Sequence, residues 1–340
     1  MTDNKNRTFR LEQAGSIEHL KMNEESIPEI GRNEVLVRVK ATSLNYRDLA
    51  LAEGNYPGKL NENTVQLSDG AGEIVEAGPD VRRFQVGDRV AGNFTKEWFS
   101  GRRMPGYLEP YGSHSDGWLM DYKAIHPEEL VKLPDHLTYE QGAALPCAAV
   151  TAWNALHGPS PLEAGDSVLT LGTGGVSVFA VQFAKALGLQ VISTTSSSWK
   201  ADKLQKMGSD QIINYNDTPE WGKRVKELLP GGVNRVVEVV GPASFPQSIQ
   251  AVAPGEELAL IGVLTRTGEA IDYYDLFGKA STRTIMVGNR DMFETMNKAI
   301  SAHKLTPIVD TVYPFEKARD AYEHLKSQNF FGKIVISHEK

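Results

Sequence analysis

Apolar residues along this chain follow two different patterns, and the change of pattern near residue 134 is the first guide to its organisation. Up to about residue 131, apolar and polar positions alternate over short runs broken by glycine. Residues 35–39 alternate, 72–78 are bracketed by glycines, and 86–90 read as a turn entering a strand. Such runs predict half-buried strands, and so a β-rich domain. Residues 94–118 mix glycine, proline and aromatics without a period, which predicts an excursion or lid-like loop.

Beyond Pro134 helical patterns alternate with short apolar runs, the order of βαβ units that build a parallel sheet. Strands are predicted at 167–171, 190–194, 211–214, 235–240 and 257–264. Helices are predicted from about Val176 to a stop at Gly188, up to 207–208, over 221–229 and over 245–252. With an edge strand at 284–287, the whole reads as a doubly wound sheet of six strands. The last segment, 288–340, carries two helical patterns and a strand at 333–337, and is expected to return to the first domain. The expected division is therefore 1–134 with 288–340, and 135–287.

A chain of 340 residues is long for one core, which agrees with two domains. No apolar run approaches the roughly 20 residues of a membrane span, and residues 1–7 lack the apolar core of a secretory signal, so a cytoplasmic protein with no membrane partner is expected. The single cysteine, Cys147, rules out an internal disulfide and fits a reducing compartment. A net charge of −7 with scattered Lys and Arg argues against nucleic acid. A small-molecule substrate is the expectation that remains.

The turn after the predicted strand at 167–171 reads Gly172-Thr173-Gly174-Gly175-Val176-Ser177. Glycines there let the backbone turn tightly and approach a pyrophosphate, whose charge is stabilised by amides at the following helix N-terminus. Ser177 takes the third small position of the dinucleotide pattern. An NAD enzyme usually presents an acid to the ribose 2′-hydroxyl about 20 residues on. This chain has Thr194-Thr195-Ser196-Ser197-Ser198-Trp199-Lys200, which offers hydroxyls and a lysine, and no acid to repel a 2′-phosphate. NADP(H) is the expected cofactor, with Ser197 or Ser198 also placed to cap the next helix.

Several segments together resemble the medium-chain dehydrogenase/reductase superfamily: Leu44-Asn45-Tyr46-Arg47-Asp48, the glycine-bracketed run 70–78, Val86-Gly87-Asp88-Arg89-Val90, Leu145-Pro146-Cys147, the cofactor loop, and Phe331-Gly332-Lys333-Ile334-Val335. The resemblance implies an α/β protein with a GroES-like β-rich domain, a Rossmann domain with a doubly wound parallel sheet, and a homodimer, for which the edge run 284–287 is a candidate. In zinc-binding members a Cys stands at Asn45, Gly-His-Glu stands at Leu67-Ser68-Asp69, and a Cys stands at Cys147. Two of the three ligand positions are thus non-ligands here, and the four-cysteine structural lobe is missing, so no metal is expected.

The zinc-free quinone oxidoreductases and alkenal or enone reductases share the Leu-Asn-x-x-Asp segment and Gly54-Asn55-Tyr56-Pro57. By that likeness Asn45, Tyr56 and Thr151 would lie near the nicotinamide. Ser196, Lys200 and Tyr215 would contact the 2′-phosphate, and Gly241, Gly262 and Val263 would line the path between the two ends of the cofactor. Ser197, Phe331 and Lys333 complete the expected cofactor contacts.

Hydride addition to a plain carbonyl builds an alkoxide, a strong base that needs an acid or cation. Addition to an enone or enal builds a far weaker enolate base, which hydrogen bonds from Asn45 or Tyr56 would suffice to stabilise. The expectation is an NADPH-dependent, metal-independent reductase of activated C=C bonds or quinones. An alcohol or carbonyl oxidoreductase of a biosynthetic pathway is the alternative, and a non-catalytic NADPH-binding structural or regulatory protein is a second.

Overall fold

The computed structural model describes residues 5–57, 60–103, 109–262, 264–268, 270 and 273–339. The chain forms two units, Met1–Val150 with Gly288–Lys340, and Thr151–Val287.

In the first unit β1 (Lys5–Leu11), β2 (Leu20–Ser26) and β3 (Val35–Ser43) lead to helix α1 (Tyr46–Ala52). They are followed by β4 (Thr64–Val65), β5 (Asp69–Ala77), β6 (Arg89–Gly92), β7 (Tyr122–Ile125), β8 (Leu130–Lys132) and α2 (Tyr139–Ala143). A π-turn at Leu145–Ala149 precedes α3 (Val150–Leu156). The second unit adds β9 (Ser167–Leu171), α4 (Gly175–Ala186), β10 (Gln190–Thr195), α5 (Ser198–Lys206) and β11 (Gln211–Asn214). Then come α6 (Trp221–Leu228), β12 (Val233–Glu238), α7 (Phe245–Ala251), β13 (Val252–Leu260), α8 (Tyr273–Leu276) and β14 (Ala280–Thr284). The chain returns to the first unit with α9 (Arg290–His303), β15 (Val309–Pro314), α10 (Ala318–Ser327) and β16 (Lys333–Ser337).

The first unit holds a three-stranded sheet, β2-β1-β4, and a larger one ordered β15-β16-β3-β5-β6-β8 with β7 also on β3. One core joins Phe9, Leu49, Phe315, Tyr322 and Ile336; another joins Val37, Ile74, Tyr111 and Trp118. The domain boundary falls after Val150 instead of at 135, because α2 packs on β3 and β5. Strand β15 was not anticipated: its short run Val309-Asp310-Thr311-Val312-Tyr313-Pro314 is broken by Asp, ends on Pro and has no fully buried position. The expected lid-like loop at 94–118 is, where described, only partly on the surface: Glu97, residues 100–103 and Glu109 are exposed, and its aromatics are not. Phe94, Trp98, Tyr111 and Trp118 are all buried, and Gly92 lies so close to Trp118 that a Cβ there would meet its ring at 2.1 Å.

The second unit is a six-stranded parallel sheet ordered β11-β10-β9-β12-β13-β14, the strand order of dinucleotide-binding folds. Direction reverses between β9 and β12, which places the loops after those two strands at the switch point. Gly188 and Gly208, with φ of 76° and 96°, end α4 and α5 as the sequence predicts. The edge strand is Ala280–Thr284 instead of 284–287; Val287 has a φ of 59°, which is incompatible with an extended strand.

Candidate active and nucleotide-binding sites

In the second unit β9 runs into Gly172, whose φ of 71° is the left-handed conformation that glycine adopts without strain. Its amide donates to the Thr194 carbonyl at 3.0 Å, tying the turn to β10. Gly174 begins α4 with no side chain capping it, and a Cβ added at Gly172 or Gly174 would meet nothing within 4 Å. The first amides of the helix therefore face open space, as a pyrophosphate requires. Thr173 is buried, Gly175 and Val176 are partly exposed, and Ser177 Oγ donates to the Leu171 carbonyl at 2.6 Å, which makes this serine a fastener of the turn.

At the end of β10 the side-chain oxygens of Thr195 and Ser197 are buried without a hydrogen-bond partner. Ser197 is the N-cap residue of α5, yet its side chain accepts no capping bond. The Ser196 carbonyl accepts from Asn216 Nδ2 at 3.0 Å, and the Tyr215 amide donates to the Thr195 carbonyl at 3.0 Å, holding β11 beside this end. Lys200 stands in the first turn of α5, its ammonium 5.4 Å from the Trp199 ring. Two orphaned hydroxyls are costly in an interior, a cost that a ligand's oxygens would relieve.

The turn after β12 is built by a residue that the sequence reading missed. Glu238 is 1% exposed. One carboxylate oxygen accepts from Val240 N at 2.9 Å, Gly241 N at 3.0 Å and Ser244 Oγ at 2.7 Å, and the other accepts from Ser248 Oγ. Gly241, with a φ of 108°, packs against Gly262, where a Cβ would lie 1.9 Å from the Val239 backbone. Val263 lies outside the described residues. Thr151 is 3% exposed in the first turn of α3.

In the first unit Asn45 precedes α1, and its backbone N–H donates to Asp48 Oδ2 at 2.8 Å. The Asn45 side chain is held by Lys333, whose ammonium donates to Asn45 Oδ1 at 2.5 Å and to the Leu44 carbonyl at 2.6 Å. Asp69 Oδ2 lies 3.6 Å from the same ammonium. That carboxylate also accepts from Ser68 Oγ at 2.8 Å and the Cys147 amide at 3.3 Å, while Ser43 Oγ, 3.4 Å away, donates to the Ala143 carbonyl at 2.8 Å. Asp48 is fully buried against Arg47 at 3.0 Å; burial pushes its carboxyl up to about 6, although Arg47 pulls it down. Arg47 also donates to the Tyr111 carbonyl at 3.1 Å and lies 5.6 Å from the Tyr56 ring. Asn45 precedes α1 and Tyr56 follows it in the chain, with Arg47 of the first turn beside the Tyr56 ring.

Residues 31–135 match the alcohol dehydrogenase GroES-like domain, and 175–302 match the zinc-binding dehydrogenase family. A zinc-type alcohol dehydrogenase-like protein of Schizosaccharomyces pombe is 38% identical over 96% of this chain and 97% of its own. The chain belongs to the medium-chain dehydrogenase/reductase superfamily. Within that superfamily its structure is similar to that of a putative alcohol dehydrogenase from Sinorhizobium meliloti, with a TM-score of 0.92 and 35% identity, covering 99% of this chain and 100% of that one. An NADPH-dependent alkenal/one oxidoreductase of Arabidopsis thaliana is 28% identical over 95% of this chain and 77% of its own.

Many dehydrogenases of this superfamily carry zinc, and the residues of this member do not fit it. A zinc site needs about three deprotonated ligands. Here the corresponding positions offer an amide, a serine and one thiol, and burial followed by the charge of Asp69 pushes the Cys147 thiol well above its usual range. A lysine ammonium already lies against Asn45 and Asp69. Among the described residues no group of three His, Cys, Asp or Glu side chains is arranged to hold a metal.

Lys333, expected among the cofactor contacts, turns into the interior instead. It is 2% exposed because β16 is an inner strand between β15 and β3. Phe331 is 1% exposed, with its amide on Asp310 Oδ1 at 3.0 Å. Arg290, the first residue of α9, is bound to Glu128. A lysine inside a strand whose other residues are all apolar up to Ser337 was the available signal for Lys333. Nothing in the sequence singled out Glu238.

Proposed function

We propose that this protein is an NADPH-dependent, metal-independent reductase of activated C=C bonds or quinones. The observation that carries the reading is the Asn45 carboxamide: its oxygen is bound by the Lys333 ammonium, while its nitrogen, Nδ2, is buried without an acceptor. A neutral amide donor suits an enolate or a phenolate-like oxygen and is a weak match for an alkoxide, which calls for a cation or a strong acid.

The cofactor preference rests on the open Thr195 and Ser197 hydroxyls, on Lys200, and on the lack of an acid between Thr194 and Lys200. Gly172, Gly174 and the first turn of α4 would hold the pyrophosphate, and Ser196, Ser197, Lys200 and Tyr215 the 2′-phosphate. When bound, the reduced nicotinamide supplies a hydride to the β-carbon of the acceptor. Asn45 Nδ2 donates to the acceptor oxygen as it becomes anionic. A proton from water or the Tyr56 hydroxyl then reaches the α-carbon, giving the saturated product.

The exposed side chains of Tyr274, Phe277 and Met286 near edge strand β14 favour self-association through this edge; sedimentation as a monomer would refute it. The reaction itself is tested by incubating the protein with NADPH and a 2-alkenal. A saturated aldehyde is expected. An allylic alcohol would mean carbonyl reduction and would overturn the proposal, and tight NADPH binding with no turnover of alkenals or quinones would point to a binding protein.

A further inference from the structure

Lys333 is a long cationic side chain on an inner strand, a costly place for a charge. Its polar surroundings divide into two groups. On one side lies Asp69, which offsets the charge and also accepts from Ser68 and the Cys147 amide. On the other lie the Leu44 carbonyl and Asn45 Oδ1, both at the entry to α1. The ammonium has only donors, so it fixes which end of the Asn45 carboxamide faces it. The oxygen must point inward and the nitrogen away. That nitrogen is buried and has no partner, a state that costs about 1–3 kcal/mol unless a ligand supplies an acceptor.

Buried Asp69 accounts for a positive charge here, and Leu44 could be served by any donor. What the ammonium adds beyond these two partners is the orientation of Asn45. We infer that Lys333 is a positioning residue for the reaction proposed above: it clamps the carboxamide oxygen so that Nδ2 is presented to the anionic oxygen of the substrate, and its charge polarises the amide towards donation. The inference rests on that functional reading. An internal ammonium thus contributes positive charge behind a neutral donor, at the position where zinc-binding relatives have ligands.

The test has one arm that needs no turnover. In protein labelled with 15N only at asparagine, the Asn45 side-chain amide signals are those lost in Asn45→Ala. In Lys333→Met, and in Lys333→Met/Asp69→Asn, where no carboxylate is left unpaired, these signals are expected to shift and to exchange with solvent at least tenfold faster. In the kinetic arm kcat is expected to fall at least tenfold in both variants with the nucleotide KM within twofold. Adding Asn45→Ala is expected to cost less than a further threefold, because the two residues act through one hydrogen bond. Signals that stay in place in both variants overturn the clamp. A shifted signal with kcat intact, or losses that multiply, overturns its use in the reaction. If the wild-type protein reduces no enone or quinone, that failure falls on the proposed function alone, and the Asn45 signals still decide the clamp.

Discussion

Removing the Glu238 carboxylate is expected to loosen the turn after β12 selectively. In Glu238→Ala the amides of Val240 and Gly241 and the hydroxyls of Ser244 and Ser248 lose their common acceptor. The hydroxyls can rotate towards other partners, whereas the two amides cannot. At about 1–3 kcal/mol for each buried unsatisfied donor, the local cost is about 2–6 kcal/mol. Glu238→Gln keeps one oxygen for the two amides and loses mainly the charge assistance, about 1–2 kcal/mol. Since 1.4 kcal/mol corresponds to a factor of ten, hydrogen exchange read by mass spectrometry should show protection at Val240 and Gly241 reduced roughly tenfold in the glutamine variant. In the alanine variant the reduction should be about a hundredfold or more. Strand β3, in the other unit, serves as the internal reference and should not change. Because Gly241 is among the proposed cofactor contacts, NADPH affinity should weaken in the same order. Protection within threefold of wild type in Glu238→Ala would refute the reasoning, since it would mean that the turn holds its shape without the carboxylate.

Lys200→Glu is expected to weaken NADPH binding more than tenfold and NADH binding less than threefold, measured by nucleotide fluorescence; equal losses would remove Lys200 from the phosphate site. Asp48 gives a pH signature. Its folded pKa of about 6 lies above the ordinary carboxylate value of 3.8, so the folded state binds the proton more tightly. Its contribution to stability is therefore full below about pH 4 and is lost as pH rises through about 6. Relative to Asp48→Asn, the wild-type protein should lose on the order of 2–3 kcal/mol between pH 4 and pH 7.5 in urea titrations. A pH-independent difference would show that Arg47 keeps Asp48 ionised throughout.

The second unit was legible residue by residue because its signals are local. The inner strands β9, β10 and β12 are short apolar runs, α4 and α5 stop at glycines with positive φ, and the Gly172–Gly175 turn joins β9 to α4. The first unit was legible only in outline. The aromatic run around Phe94 and Trp118 carries no period, so its burial could not be read. The mixed sequence of β15, which has no fully buried position, hid a strand that is held by pairing with β16. Asn45 was found through the family pattern, whereas Lys333 appeared as one more residue of a Gly-Lys motif.

The sequence by itself determined most of the order of elements, the dinucleotide turn and the lack of an acid after β10. These are properties of residue type and short spacing, which the chain carries before it folds. Only the tertiary structure decided that Lys333 reaches Asn45 and Asp69 across 288 positions of chain for the first pair, that Glu238 gathers the turn after β12, and that the Asn45 amide nitrogen is left open. The physical reason is that a buried charge takes its meaning from its neighbours. Burial raises the cost of every unpaired polar group, so the partner that relieves that cost, and the donor left over, are fixed by packing and not by spacing along the chain.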